Sequence, residues 1–370
     1  MYIFERIIGL SCFVGCLFVT LYLLSRVRKK YCGSVLFGYL VLLTLFAYFF
    51  KPNVLDLSRL QNMCLRTWCY YPWSTLQNFL KTSAVPMWYL FSWGIFNLTH
   101  DLNYIQAVTC FWCFGNVLYV INDLIIRWNL RGIKRALLLF AIMAIGSFYM
   151  QTISDIRNML SFSICFWCMY REIIQGKSII WHIPLYIVAI LFHQAGAVLV
   201  GGRMLAFAPL QKGVLRKVAF AGIVFALAWY VLKYQGFFFN SAQEKAYAYS
   251  SNAQEFRSWK ETIIGLIELV QIFYVLACYK INTNLKYREM WIFSLILSLI
   301  CFVSVPISYA IFRRFTIVCS LLILPLVAHL LSDANLKNRK NFMWVFLGFS
   351  CIIFLLSYMI GDMRFYQFLM

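Results

Sequence analysis

Long apolar runs separated by short polar islands recur along the whole chain, and their lengths match helices that cross a bilayer. The islands are of two kinds. One kind is dense in Lys and Arg: Arg26-Val27-Arg28-Lys29-Lys30, Arg127 to Arg135, Arg171 with Lys177, Lys212 to Lys217, Lys280 to Arg288, and Lys337 to Lys340. Short basic loops of this kind stay on the cytoplasmic side. The other kind mixes acids, aromatics, a histidine and isolated arginines, and the alternation places it outside.

Read this way, the first segment (roughly 3–25) ends at the basic cluster, and the second (roughly 33–50) returns outside at Lys51-Pro52-Asn53. An outer stretch rich in Trp and Tyr follows, and such residues favour the membrane interface. Pro86 to Thr99 is apolar but would reach only about 20 Å as a helix, too short for a bilayer core. It is expected to lie at the interface or to re-enter. Further segments are expected at roughly 103–126, 133–150, 156–171, 178–193, 195–210, 216–234, 262–279, 289–304, 315–331 and 341–360, with a long polar outer loop at roughly 235–260. The sum is an all-α polytopic membrane protein of about 12 transmembrane helices (about 10–14) forming one domain over residues 1–370. No solenoid-type repeat is present.

Composition agrees: 63% of the 370 residues are hydrophobic and 12% are charged, against about 25% charged in soluble domains. The net charge of +20 is mostly the positive-inside signal, so it does not point to nucleic acid. The N-terminal apolar run precedes its positive cluster, the reverse of a cleaved signal, and reads as a retained helix with its N-terminus outside. Of 13 cysteines, four form two Cys-Phe-Trp-Cys strings, Cys110 to Cys113 and Cys165 to Cys168. Within apolar helices they read as small hydrophobes, not as zinc ligands.

The outer islands carry the candidate chemistry. Gln151-Thr152-Ile153-Ser154-Asp155-Ile156-Arg157-Asn158 sets an acid beside a base between two apolar segments. Arg157 begins an inward-running helix, and Arg313 and Arg314 begin another. A cation at a helix N-terminus meets the positive end of the dipole, at a cost of about 0.3–1 kcal/mol. Three arginines so placed make sense around an anion, and helix N-termini and arginines both bind phosphate. Each arginine is also explained by snorkelling to the interface. His193, at a helix end and followed by Gln194-Ala195-Gly196-Ala197, is the candidate general base. His100, His182 and His329 read as structural. Asp155 reads first as the cap of the helix that starts at Ile156, and second as a partner for an arginine or as a base. Asp56 and Arg59 read as a loop ion pair or as contacts to sugar or phosphate. Glu268 and Arg203 stand apart from the outer set, the latter in the outer half of its segment. No Walker A, H-E-x-x-H or G-x-S-x-G pattern is present.

These phrases resemble the EpsG family of bacterial exopolysaccharide proteins, related to Wzy-type repeat-unit polymerases. The resemblance rests on Asp56-Leu57-Ser58-Arg59, Ile156-Arg157-Asn158-Met159-Leu160-Ser161, Phe192-His193-Gln194-Ala195 and Phe312-Arg313-Arg314-Phe315, in that order along the chain. Ser161 stands where the family has Ala, Gln194 where Ser is common, and Leu60 follows Arg59 in place of an aromatic. The resemblance implies a metal-independent glycosyltransferase of C-type membrane architecture, with no cofactor. It would polymerise undecaprenyl-pyrophosphate-linked oligosaccharide repeat units on the extracytoplasmic face of the bacterial inner membrane. Arg157, Arg313 and Arg314 would hold the pyrophosphate, His193 would take the acceptor proton, and Asp56, Arg59 and Asp155 would position substrate. The implied partners are that lipid-linked oligosaccharide, membrane lipids and a chain-length regulator protein, with no nucleic acid. Two other readings fit a membrane protein of this kind. One is a transferase adding a single sugar from a polyprenyl monophosphate. The other is a transporter of lipid-linked oligosaccharide, which would place its polar residues near the midplane.

Overall fold

The computed structural model describes residues 2–50, 60–62, 64, 67–207, 259–283, 287–305, 309–332 and 339–360, and among them the regular structure is entirely helical. The helices are α1 (Tyr2–Arg26), α2 (Cys32–Phe49), α3 (Trp73–Thr82), α4 (Pro86–Thr99), α5 (Asn103–Arg127), α6 (Ile133–Ala144), α7 (Gly146–Ser154), α8 (Ile156–Ile173), α9 (Ile183–Phe192), α10 (Ala195–Phe207), α11 (Trp259–Asn282), α12 (Arg288–Ser304), α13 (Tyr309–Leu322), α14 (Leu324–Ser332) and α15 (Arg339–Leu355).

Six stretches among the described residues are long and apolar enough to cross a membrane, or seven if the bent pair α6–α7 counts as one span. That makes an all-helical membrane protein with fewer full-length spans than the roughly 12 expected. Several of the runs expected to span are short or interrupted. Segment 133–150 breaks at Ile145, and its halves are bent by 53°, beside the Gly146-Ser147 pair, a common site for a kink. Segment 178–193 becomes a 3-10 turn at Ile179–His182 followed by ten-residue α9. Helix α8 has the length to span but carries Arg157, Asn158, Ser161, Ser163, Arg171 and Glu172. Protein encloses most of it, and a helix shielded from lipid need not be apolar all round. Segment 216–234 and residues 235–258 of the long loop lie outside the described residues, as do Asp56 and Arg59.

Burial sorts the bundle into an inside and a rim. The α13–α14 span is 89% buried, whereas the α1 and α15 spans are each 28% buried and expose Phe18, Tyr22, Trp344 and Leu355. The rim helices are apolar on every side, as contact with lipid requires. Helix α8 packs on α5, α7, α9, α10 and α13.

One end of the bundle is fastened by basic side chains. Buried Arg135 donates to the backbone oxygens of Leu130 at 2.7 Å and Val27 at 2.8 Å, and Lys134 donates to that of Leu331 at 2.8 Å. These carbonyls close α5, α1 and α14, and cations suit the negative ends of helices. Two residues of a basic island thus act as ties between helix ends. Tyr170, in the last turn of α8, hydrogen-bonds Asp123 of α5 at this same end. The α8 N-terminus therefore faces the opposite end, which carries the candidate site.

Candidate functional site

The site grows from the start of α8. Asp155 occupies the N-cap position, but its side chain makes no cap hydrogen bond. Its carboxylate instead accepts from Asn158 Nδ2 at 2.7 Å on both oxygens and from Arg314 Nε at 2.8 Å. The expected cap is thus a cap by position only, and its side chain is an ion-pair partner. The preceding Ser154 turns its hydroxyl back to the Met150 oxygen at 2.7 Å. The first amides of α8 are left with neither cap, and such N–H groups attract anions.

The three arginines do not play one role. Arg313 pairs with Glu268 of α11, and both side chains are buried. Arg314 pairs with Asp155 across the α8–α13 contact, with side chains 29% and 17% exposed. Arg157 has no carboxylate partner among the described residues. The alternative of Asp155 as a partner for an arginine is met by Arg314, whereas Glu268 was not expected as the partner of Arg313. A guanidinium placed in an uncapped first turn, with no acid of its own, is the group best suited to an external anion.

The Arg157 charge also reaches the α2–α4 connection. Cys69 and burial push the Cys64 thiol up and Arg157 opposes them; burial pushes the Tyr89 phenol up and Arg157 opposes that too. Tyr89 stands edge-on to Trp68 at 4.8 Å and Phe79 at 4.7 Å, and Trp68 Nε1 donates to Ser92 Oγ at 2.8 Å. The guanidinium therefore lies near an aromatic shelf built by α3, α4 and the turn before them.

His193 and Gln194 join α9 to α10, and His193 has extended backbone (φ −158°, ψ 137°). Its Nδ1 accepts the Ala195 N–H at 3.1 Å, so the ring itself caps α10. A nitrogen that accepts has a lone pair there, which puts the proton of the neutral ring on Nε2. In this geometry His193 offers a donor from Nε2, and service as a base requires Nδ1 to leave Ala195.

Small residues hold this turn against α8. A Cβ on Gly196 would stand 2.4 Å from Ser161 Oγ and 3.0 Å from the Ala189 oxygen. Ser161 lies one turn from Arg157 on the same face of α8, so the histidine turn packs beside the arginine. Phe192 also meets Phe91 of α4 at 5.6 Å. Gly196→Ala is expected to force the turn off α8, at about 1–3 kcal/mol for overpacking. Ser161→Ala in the same chain should recover part of that. The thermal midpoint of the purified protein checks it, and an unchanged midpoint in Gly196→Ala would show that the two helices do not approach so closely.

Three polar atoms in this neighbourhood are buried without a hydrogen-bond partner among the described residues: Gln151 Oε1, Asn158 Oδ1 and Ser161 Oγ. Neither Asn158 nor Gln151 stood among the site residues expected from sequence. The signal was present for Asn158, which sits in the same phrase as Arg157. Among the described residues no group of three or more His, Cys, Asp or Glu side chains is arranged to hold a metal ion. Cys110, Cys113, Cys165 and Cys168 are all buried, and Cys113 accepts from Ser163 at 3.4 Å as part of the α5–α8 packing.

The other outliers are also resolved. Arg203, expected in the outer half of its segment, pairs with Glu172 in the last turns of α8, at the far end of that helix. His329 meets Tyr279 Oη through Nδ1 at 3.1 Å and packs against Trp128 and Tyr287, a structural setting.

No curated protein and no solved structure matches the chain. A family model does, over residues 67–370, a range that takes in Asp155, Arg157, His193, Arg313 and Arg314 but begins after Asp56 and Arg59. The phrases around those residues are therefore not isolated likenesses, and the chain belongs to the EpsG family.

Proposed function

We propose that this protein is a polysaccharide polymerase that joins lipid-linked oligosaccharide repeat units. Membership of the EpsG family supports a membrane polysaccharide polymerase. The observation that carries the site assignment is Arg157, which has no carboxylate partner among the described residues and stands at an uncapped helix start where both neighbouring arginines have acids.

In this reading Arg157 and the first amides of α8 hold the pyrophosphate of an undecaprenyl-pyrophosphate donor. They stabilise its growing charge as the glycosidic bond to the donor sugar breaks. Arg314, held by Asp155, adds positive potential from the side, and Arg313 braces α13 against α11. His193 gives a hydrogen bond from Nε2 to a leaving oxygen. Once Nδ1 is released from Ala195, the same ring takes the proton of the acceptor hydroxyl. The amide oxygens of Gln151 and Asn158, partnerless among the described residues, suit sugar hydroxyls, which can donate to them, whereas a pyrophosphate cannot; the Ser161 hydroxyl can give or take a hydrogen bond. Half-buried Tyr89, backed by buried Trp68, offers a ring of the kind that sugars stack on. About 12 crossings, a C-type transferase architecture, an extracytoplasmic site in a bacterial inner membrane, metal-independent chemistry and a chain-length regulator as partner belong to the same proposal. So do substrate positioning by Asp56 and Arg59 and acceptor choice by the 235–260 loop.

The test is reconstitution of the purified protein in liposomes with lipid-linked repeat units. A ladder of products spaced by one whole repeat is expected. A product extended by a single sugar from a polyprenyl monophosphate, or unit movement across the bilayer with no new bond, would overturn the reading.

A further inference from the structure

The end of α8 remote from Arg157 holds a second group of buried ionisable residues, which the proposed reaction does not use. Glu172 is its centre. Its Oε2 accepts from Arg203 NH2 of α10 at 3.2 Å, and its Oε1 faces Nδ1 of His182 at 3.4 Å. The side chains are 4%, 2% and 5% exposed, respectively. Tyr186, one turn beyond His182, is buried beside them. Ionisable groups placed this deep are costly, and within membrane proteins they are characteristically functional.

Two features make this more than an ion pair. First, Glu172 Oε1, His182 Nδ1 and Tyr186 Oη are all buried without a hydrogen-bond partner among the described residues. The Nδ1–Oε1 separation of 3.4 Å exceeds the roughly 2.7–2.9 Å of a charge-assisted bond. One added proton on Nδ1 would satisfy two of these three atoms at once.

Second, the group sits where it can act on the candidate site. Arg157, Ser161, Cys168 and Glu172 are spaced by four, seven and four residues and so fall on one stripe of α8. The α9–α10 hairpin packs along that helix. Its tip carries His193 and touches the stripe where Gly196 meets Ser161. Its open end carries His182 and Arg203 and touches the stripe at Glu172. The two contact points are 11 residues apart on α8, about 16 Å at helical rise.

We propose that Glu172 and His182 form a proton-binding site, and that the bound proton clamps the open end of the hairpin and so positions His193. A proton taken from solvent onto His182 Nδ1 makes an N–H that closes on Glu172 Oε1, and no covalent bond forms or breaks. Burial and Arg171 oppose the added charge, while a hydrogen bond to the Ser178 backbone favours it; the Glu172 carboxylate faces Nδ1, and Arg203 and Glu289 of α12 are the charged groups around that carboxylate. Arg171 is held over the Trp167 ring at 4.8 Å, and that ring meets His182 at 5.9 Å. Cys165, Cys168 and Tyr186 complete the titratable groups around the site. His182 and Glu172 are positioning residues, and the link to catalysis rests on the function proposed for His193.

The chain has four histidines, which makes the test direct. The protein would be labelled with 15N-histidine, placed in lipid nanodiscs, and its imidazole resonances followed from about pH 8 to about pH 5, the range in which histidine titrates. The His182 signal, identified by its loss in His182→Gln, is expected to pass from neutral imidazole to imidazolium. In Glu172→Gln the midpoint is expected to fall by about one pH unit or more, a tenfold weaker proton site. The double variant Glu172→Gln/Arg203→Met, which buries no unpaired charge, serves if the single variant does not fold. The His193 signal should move with the His182 midpoint in the wild type and lose that dependence in His182→Gln. A His182 that stays neutral throughout, as hydration of the cluster by water alone would give, overturns the proton site. So does a midpoint indifferent to Glu172. A His193 signal that ignores His182 overturns the positioning role. None of these readouts requires product, so failure of the polymer ladder and failure of the proton site are separate results.

Discussion

Arg157→Ala is expected to stop polymer growth while lipid-linked single units accumulate. The arginine sits in the first turn of α8, where the helix dipole disfavours a cation by about 0.3–1 kcal/mol. It has no carboxylate among the described residues to offset that cost. An anion supplied by substrate removes the mismatch, and it does so most strongly as charge develops on the leaving group. Removal of one preorganised donor to such an oxyanion slows turnover by about 10²–10³-fold, enough to turn a long product into unextended units. Arg157→Lys keeps the charge but loses the planar fork that grips two phosphate oxygens, so an intermediate rate is expected. Because Arg157 belongs to no ion pair among the described residues, the alanine variant should accumulate and melt like the wild type. Arg314→Ala differs in kind. It frees Asp155, but both side chains are partly exposed, and pairs of that sort contribute about 0–1 kcal/mol. Wild-type product length from Arg157→Ala would remove this residue from the mechanism, and the site assignment with it.

The elements of this fold were readable from hydrophobic runs because lipid-facing and core-facing helices must both be apolar. The helix Pro86–Thr99 has the limits expected from its sequence. Lengths and breaks were less readable. Whether α8 tolerates Arg157, Asn158 and Glu172 depends on what surrounds it, and that is a tertiary fact. Of the site, the position of Arg157 was legible, since a basic residue opening a helix is a local pattern. The partners of Arg313 and Arg314 were not. Glu268 lies 45 residues before Arg313 and Asp155 lies 159 before Arg314, and no periodicity joins them. The use of Asp155 for an ion pair in place of a cap turns on one side-chain torsion. Glu172 was missed because it follows Arg171 at the edge of a basic island, where an acid reads as surface decoration. Its register with Arg157 and Ser161 on α8 was the available signal. His193 was recognised as chemically apt, but its tautomer depends on the Ala195 N–H, which only the folded turn supplies.

The second large effect expected is on stability. Glu268→Gln should cost about 3–5 kcal/mol, because it leaves a guanidinium buried without its carboxylate. Arg313 is 5% exposed and Glu268 is fully enclosed. Against a total stability of about 5–15 kcal/mol, such a loss should lower both the amount of protein recovered from membranes and its thermal midpoint. The packing around the pair leaves little room to adjust. Gly265, one turn before Glu268 on α11, faces α13 so closely that a Cβ there would stand 2.7 Å and 2.8 Å from ring carbons of Phe312, and 3.6 Å from Arg313 NH1. The α11–α13 contact therefore has its spacing set by a glycine, and Glu268 balances the Arg313 charge across it. Removing both charges in Glu268→Gln/Arg313→Met should restore the midpoint to within about 1–2 kcal/mol of the wild type, since a neutral, well-packed replacement avoids the unpaired ion. The double variant also separates the two roles open to Arg313. If it folds and still polymerises, Arg313 is a brace and the pyrophosphate depends on Arg157. If it folds but makes no polymer, Arg313 belongs to the anion site after all, and Glu268 is the acid that holds it there between turnovers. Normal recovery and an unshifted midpoint in Glu268→Gln alone would contradict the pair, and with it the α11–α13 register that places Arg314 on Asp155.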